Sequence, residues 1–427
     1  MGVTAAALLG CFALRRVVFV VAALLPARAA STDEHAPSVT LLVPAKNEET
    51  AATALLDAIA TLEYPPEQLF VVLVSDGSTD ATADVFDRWA ADRPRALALH
   101  LPPVGKFEAL NRALAVAPRS DVVAVCDADL LPHREWLRRL VGPLADPQVG
   151  ATAGLVWPAN AASGVVARYA AVEAWVHQLV TSAAKDRLGL NPPPLAAAAY
   201  RRSALEEIGM FESGRSGGDA HAAVALTRAG WRTRIVPDAV AANAVVDRWS
   251  DYWHQHLRWA RNSFATLRVR SSEPRQRRVS SWRGLGLRIE SWLAATGYAD
   301  RVVLLLVCVF AVIGTLPLWL PLGYLALGLV EVGVALAKAR VGRAFPSFLL
   351  VAAAVFVLDV LASFVATADH LLRRAPAWRQ GQRGGPDRRT PRSGLDGFEQ
   401  GLAGEARGVR ADQGAGGRGD VGDPRRS

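Results

Sequence analysis

The chain has 427 residues, enough for a catalytic domain of roughly 200–250 residues and a second part. Its hydrophobic share of 51% and positive mean hydropathy, with the apolar residues gathered near the two ends, argue against a purely soluble protein and for a membrane protein with a soluble middle. The net charge of +8 comes mostly from arginines beside the apolar segments and in the tail, a placement that suits an anionic membrane face better than a nucleic-acid groove, and Cys11, Cys126 and Cys308 have neither metal-like spacing nor the look of a disulfide framework.

Residues 1–30 carry an apolar run from Val3 to Leu14, then Arg15 and Arg16, then a second run from Val17 to Leu25. Three readings are open: a membrane helix of about 20 residues with a costly Arg pair at its middle, a signal peptide ending in Ala27-Arg28-Ala29, or an interfacial anchor.

From Val39 the pattern alternates. Val39–Val43 reads as a strand, and Pro44-Ala45-Lys46-Asn47-Glu48-Glu49 as a turn into a helix reaching about Leu62. Leu69–Ser75 is the next strand, followed by Asp76-Gly77-Ser78-Thr79-Asp80, where Gly77 permits a tight turn and Ser78 or Thr79 can cap a helix running to about Ala91. Ala96–Leu99 is a short strand, Gly105-Lys106 opens a helix over Phe107–Ala117, and Val122–Val125 is a buried strand followed by Asp127 and Asp129. Such alternation predicts an α/β domain with a mostly parallel sheet and helices on both faces. Asp76, Lys106, Asp127 and Asp129 each follow a strand and so belong on one edge, where open α/β sheets bind ligands. Two carboxylates one residue apart offer oxygens to Mg²⁺ or Mn²⁺, leaving positions for nucleotide phosphates; taken alone, the pair also suits a helix-capping turn.

Together these segments resemble the successive motifs of the family 2 inverting glycosyltransferases of the GT-A fold. The resemblance continues through Tyr200–Gly209, Gly218-Asp219, Leu226–Trp231 and Val236–Ala239 to Gln255-His256-Leu257-Arg258-Trp259. This last segment matches the Gln-x-x-Arg-Trp of membrane-embedded members such as ceramide glucosyltransferases and polysaccharide synthases. The resemblance covers Val39 to about Ala265 and implies a Rossmann-like GT-A domain over 37–265. It also implies roles. Asp76 would bind the base or ribose of a nucleotide sugar, with Pro44, Asn47 and Glu48 nearby. Asp127 and Asp129 would hold the metal and diphosphate, and Lys106 would lie near the phosphates. Asp219 would be the general base that deprotonates the acceptor hydroxyl, and Gln255, Arg258 and Trp259 would shape the acceptor and diphosphate end. Gly218 departs from the family's usual Glu before the base, and the His often found after the Val-Pro-Asp-Ala segment is absent.

Other features have plainer readings. His177 and His254 lack partners at ligand spacing, and Trp157, Trp175 and Trp231 read as core or interface. Asn191–Pro194 reads as a rigid loop, over the acceptor site or as a linker. Glu173 and Asp186 carry no assigned role. Nine arginines against Glu273 alone lie between Arg258 and Arg288, and 266–300 is expected to lie as a basic amphipathic segment on cytoplasmic headgroups. Residues 301–371 are expected to form transmembrane helices, two before Lys338–Arg343 and one over Phe348–Ala368, with Glu331 and Asp359 as intramembrane acids. Residues 375–427, rich in Gly, Arg, Pro and Asp, read as a disordered tail.

The resulting expectation is a multi-pass plasma-membrane enzyme, its catalytic domain cytoplasmic, that transfers a hexose from a UDP-sugar to a lipid acceptor with Mg²⁺ or Mn²⁺. Because that donor is cytosolic, an anchor is the preferred reading of residues 1–30. A processive synthase acting on a growing glycan is the first alternative, and a catalytically silent scaffold, suggested by Gly218, is the second. Nucleic acid is not an expected partner.

Overall fold

The computed structural model describes residues 1–26, 36–193, 197–213, 218–266, 281–295, 297 and 299–371. The expected tail over 375–427 and residues 267–280 of the arginine-rich stretch lie outside these residues, and the side chains of 218–220 are likewise not described.

An apolar helix, α1 (Gly2–Leu24), comes first. It is followed by β1 (Val39–Ala45), α2 (Glu49–Ala60), β2 (Leu69–Asp76), α3 (Thr82–Ala91), β3 (Ala96–Leu101), α4 (Lys106–Val116) and β4 (Val122–Cys126). The chain continues through β5 (Leu130–Pro132), α5 (Trp136–Val141), β6 (Val149–Pro158) and α6 (Val165–Trp175). A π-helical stretch, Val176–Ser182, joins α6 to α7 (Ala183–Leu188). Next come β7 (Ala197–Arg201), α8 (Arg202–Glu207), α9 (Gly218–Arg228), β8 (Arg232–Asn243) and α10 (Trp249–Thr266). The described chain ends with α11 (Ser281–Ala295), α12 (Ala299–Val312), α13 (Trp319–Lys338) and α14 (Phe345–Leu371).

Among the described residues, eight strands form one sheet in the order β3-β2-β1-β4-β7-β6-β8-β5. β1 to β4 pair in parallel, whereas β7 runs antiparallel to both β4 and β6. The first half is thus the expected parallel layer, and the reversal at β7 makes the whole sheet mixed. β1 and β4 are buried along their full length, as strands covered by helices on both faces must be. One face packs around Phe86, Trp136 and Leu140, the other around Leu110, Tyr200 and Trp231. The register sets Ala45 beside Ser75 and Asp76 beside Leu101, so the ends of β1, β2, β3 and β4 open onto one edge.

Among the described residues, three helices are long and apolar enough to cross a membrane: Gly2–Leu24, Trp319–Lys338 and Gly342–Val365. α12 alone is shorter, and it meets the end of α11 at a 70° bend. The sheet domain does not hang free of these helices. Tyr169, Trp175 and Tyr252 share a core with Val20, Leu336 and Phe348.

The Arg pair of α1 is fully partnered. Arg15 donates to both oxygens of Glu290 at 2.9 and 2.8 Å, and Lys185 reaches the same carboxylate at 2.9 Å. Arg16 lies 3.1 Å from Asp300 and 3.7 Å from Glu331, and stacks on Tyr324 at 4.5 Å. The Tyr324 hydroxyl donates to Asp300 at 2.6 Å. An added Cβ at Gly328 would stand 2.9 Å from the Arg16 guanidinium, so a glycine there makes room for it. Removing one partner of a buried pair leaves the other charge uncompensated, which costs about 3–5 kcal/mol. Arg16→Leu should therefore lower the thermal unfolding midpoint of the detergent-solubilised protein by several degrees. An unchanged midpoint would mean that Asp300 and Glu331 do not depend on this guanidinium.

Candidate active site

The edge above β1, β2 and β4 is built by two interlocked turns. After β1, Asn47 adopts a left-handed backbone (φ 56°), a conformation Asn tolerates better than most residues. Its backbone N–H donates to Ser78 Oγ at 3.1 Å, and its side-chain oxygen accepts from the Thr79 backbone N–H at 2.8 Å. Glu48 N–H donates to Thr82 Oγ1 at 2.9 Å. Ser78 and Thr79 therefore tie the turns together and do not cap α3, as the sequence had suggested. The capping acceptor is Asp80, which takes the Thr82 N–H at 3.1 Å and the Thr82 hydroxyl at 2.6 Å. Gly77 is demanded by two constraints at once: its φ is +65°, and a Cβ there would meet Pro103 Cδ and N at 2.7 Å.

Asp76 ends β2 with only 6% exposure. Its carboxylate accepts the Val104 N–H at 2.7 Å and the Gly105 N–H at 3.0 Å, fixing the loop that delivers Lys106 as the first residue of α4. Lys106 Nζ lies 2.7 Å from Asp127 Oδ1, just past β4. Asp129 stands one residue before β5. Pro44, Asn47, Glu48, Asp76, Lys106, Asp127 and Asp129 thus gather along one edge from four strand ends.

The donor set suits a hard cation. Asp127 and Asp129 supply carboxylate oxygens, and an ammonium already sits against one of them, which shows that this position accepts positive charge.

Asp219 is the second residue of α9. Gln255, Arg258 and Trp259 lie on α10, with Trp259 42% exposed. On the same helix, Tyr252, His256 and Ala260 recur at four-residue spacing with 1%, 2% and 0% exposure, a stripe turned into the protein. Burial pulls the Arg258 guanidinium below its ordinary pKa.

Sequence reasoning weighed His177 and His254, gave both ordinary polar roles, and assigned none to His256. His177 is exposed, and the His254 ring lies 2.7 Å from the Ser250 carbonyl. His256 lies against Glu173 and Asp359, a grouping from three separate helices with no local spacing to announce it. Trp175 and Trp231 are core residues, and Trp157 packs on Trp175 with ring centroids 5.6 Å apart. The Asn191–Pro193 part of the proline loop is pinned to β8: the Asn191 amide donates to the Trp231 carbonyl at 2.9 Å, and Thr233 donates to the Pro192 carbonyl at 2.5 Å. Pro194 lies outside the described residues.

Comparison with known proteins decides the family. The profile described as "Glycosyltransferase like family 2" matches residues 36–262, more than half of the chain. The chain belongs to the family 2 glycosyltransferases. An N-acetylglucosaminyltransferase of Rhizobium sp. (strain N33) is 34% identical over 240 residues, covering 53% of each chain. An N-acetylglucosaminyltransferase of Rhizobium leguminosarum bv. viciae is 32% identical over 317 residues, covering 71% of this chain and 73% of the relative. The chain spans about half the length of the first of these relatives. Among solved structures, the mannosyltransferase PcManGT of Pyrobaculum calidifontis, in complex with GDP-Man and Mn²⁺, superposes with a TM-score of 0.57 at 25% identity. That match covers 88% of this chain and 100% of the other. The family 2 chain thus has the mixed sheet of the GT-A fold and apolar helices of membrane-crossing length in one molecule.

Proposed function

We propose that this family 2 chain is a membrane-bound inverting glycosyltransferase that moves one sugar from a nucleotide sugar to a lipid acceptor, its catalytic layer facing the cytosol. The observation that carries the proposal is the meeting of Asp76, Lys106, Asp127 and Asp129 at one sheet edge, in a domain whose core is continuous with apolar helices. The names of the relatives put UDP-N-acetylglucosamine first among candidate donors; the mannosyltransferase neighbour puts GDP-mannose on the same list. α1 would be a retained anchor, because its two arginines complete the ion pairs of Glu290, Asp300 and Glu331.

In this reading the Asn47–Ser78 and Asp76–Gly105 ties hold the nucleotide turns rigid. Asp127 and Asp129 would hold Mg²⁺ or Mn²⁺, which when bound supplies charge neutralisation for the departing diphosphate. Lys106, released from Asp127, would turn to the phosphates. Asp219 would take the proton from the acceptor hydroxyl as its oxygen attacks the anomeric carbon. Trp259 would offer a flat face to the sugar or headgroup, and Gln255 and Arg258 would order the diphosphate end.

The test uses full-length protein in native lipids with Mn²⁺, a panel of labelled UDP- and GDP-sugars, and partition of the product between organic and aqueous phases. A discrete labelled species in the organic phase is expected. Label in an aqueous polymer would replace this reading with that of a processive synthase. UDP binding without any labelled product would point to the silent scaffold.

A further inference from the structure

Three helices far apart in the sequence, α6, α10 and α14, meet around one imidazole. His256 Nε2 is 3.0 Å from Glu173 Oε2, and Nδ1 is 3.6 Å from Asp359 Oδ1. The ring stacks on Tyr252 at 3.9 Å and meets the Trp259 ring edge-on at 5.0 Å. Asp359 accepts from the Tyr169 hydroxyl at 2.7 Å and from the Tyr252 hydroxyl, and the Arg301 guanidinium of α12 lies 3.5 Å away. His256 and Asp359 are each 2% exposed, while the Glu173 side chain retains 23%.

Glu173, His256 and Asp359 bring one ligand atom each within 4.8 Å of one another, which raises the question of a metal. The surroundings argue otherwise. Both Asp359 oxygens already accept phenolic hydrogen bonds, and Arg301 would stand against any added cation. Both nitrogens of His256 face carboxylates at ion-pair distance, surroundings that favour the charged imidazolium. Once Glu173, raised to about 7 by burial and Asp359, is ionised, two carboxylates, one imidazolium and one guanidinium cancel in charge, as a buried cluster requires.

Position on the helix gives this cluster a consequence. His256 lies between Gln255 and the Arg258-Trp259 pair. Successive helical residues are turned by about 100°. A ring clamped on the inner stripe with Tyr252 therefore sets the direction in which Gln255, Arg258 and Trp259 leave the helix. We propose that Glu173, His256 and Asp359 form a positioning unit through which the apolar helix α14 sets the rotation of α10, and with it the acceptor side of the site. This rests on the reading of α10 as the acceptor-side helix.

Two groups of the unit titrate: burial, with the nearby Asp359, raises the Glu173 carboxyl to about 7. Burial alone would pull the His256 pKa down, but the flanking Glu173 and Asp359 outweigh it and raise the pKa. The other charged or titratable groups around the ring are Tyr169 of α6, Tyr252 of α10 and Arg301 of α12; both phenols are held protonated by burial beside carboxylates. The imidazolium is complete below its ordinary range and persists above it. It is lost as pH rises through the raised value, after which the clamp holds one charge fewer.

The experiment uses the full chain in native-lipid nanodiscs, comparing wild type, Asp359→Asn and His256→Gln. Three quantities are read from neutral to alkaline pH: UDP–Mn²⁺ affinity, transfer rate and amide exchange along α10. Asp359→Asn should lower kcat by about tenfold or more, as small displacements of binding groups do, with UDP–Mn²⁺ affinity within about twofold of wild type. Exchange should quicken in α10 and not in β4. Wild type should lose kcat at alkaline pH, and His256→Gln should be slow throughout and lack that limb. Wild-type kcat and wild-type α10 exchange in both variants would overturn the proposal. So would an equal loss of UDP–Mn²⁺ affinity and of protection in β4, or an alkaline limb surviving in His256→Gln. If wild type transfers no sugar at all, the functional reading fails by itself, and α10 exchange with its pH dependence still decides the positioning claim.

Discussion

Asp219→Asn should reduce sugar transfer by about 10²–10⁴-fold, the usual worth of a positioned general base, while leaving UDP–Mn²⁺ binding within about twofold of wild type. The split follows from placement. The edge proposed for the nucleotide is assembled from the ends of β1, β2 and β4 and the start of α4, whereas Asp219 belongs to α9, which packs on the opposite half of the sheet's strand order beside β8. Asparagine keeps the size of the side chain and still accepts hydrogen bonds, but it cannot hold the acceptor's proton. Gly218 before it adds no carboxylate. Single-turnover rates and calorimetric titration with UDP separate the two quantities. Wild-type transfer by the variant would move the base elsewhere.

Asp129→Ala should weaken UDP binding by about tenfold or more in Mn²⁺ and leave the much weaker metal-free binding unchanged. A carboxylate that ligates a metal matters only when the metal is present. Asp127 makes a less clean test, because Lys106 occupies one of its oxygens at 2.7 Å. Its removal would free an ammonium for the phosphates and partly offset the lost ligand. A manganese titration of UDP affinity checks the claim; the same dependence in Asp129→Ala and wild type would remove Asp129 from the metal site.

The gathering of Asp76, Lys106, Asp127 and Asp129 at one sheet edge was legible because each of these residues is local to a strand end. Val122–Cys126 reads as a buried strand by composition, and an acid just past it has only one edge to occupy. The second half of the sheet was harder. β7 begins Ala197-Ala198-Ala199, residues of weak strand preference, and it is a strand because β4 and β6 flank it on both sides. The helix cap after Gly77 was misread for a related reason. Ser78 and Thr79 have the right chemistry for a cap, but Asn47, distant in sequence, claims them. The clamp on His256 lay beyond local reasoning altogether, since Glu173 and Asp359 come from helices on either side of it in the chain. Even the arginines of α1, costly in isolation, find acids that only the folded chain supplies.

The central claim is a single displacement at the anomeric carbon, with the acceptor activated by one carboxylate. It is tested most directly by the anomeric configuration of the first-formed product, read by proton NMR from an α-linked UDP-sugar in Mn²⁺. The account predicts a β-glycoside. An α-glycoside would contradict it and require two displacements, with a nucleophile that the present site does not name.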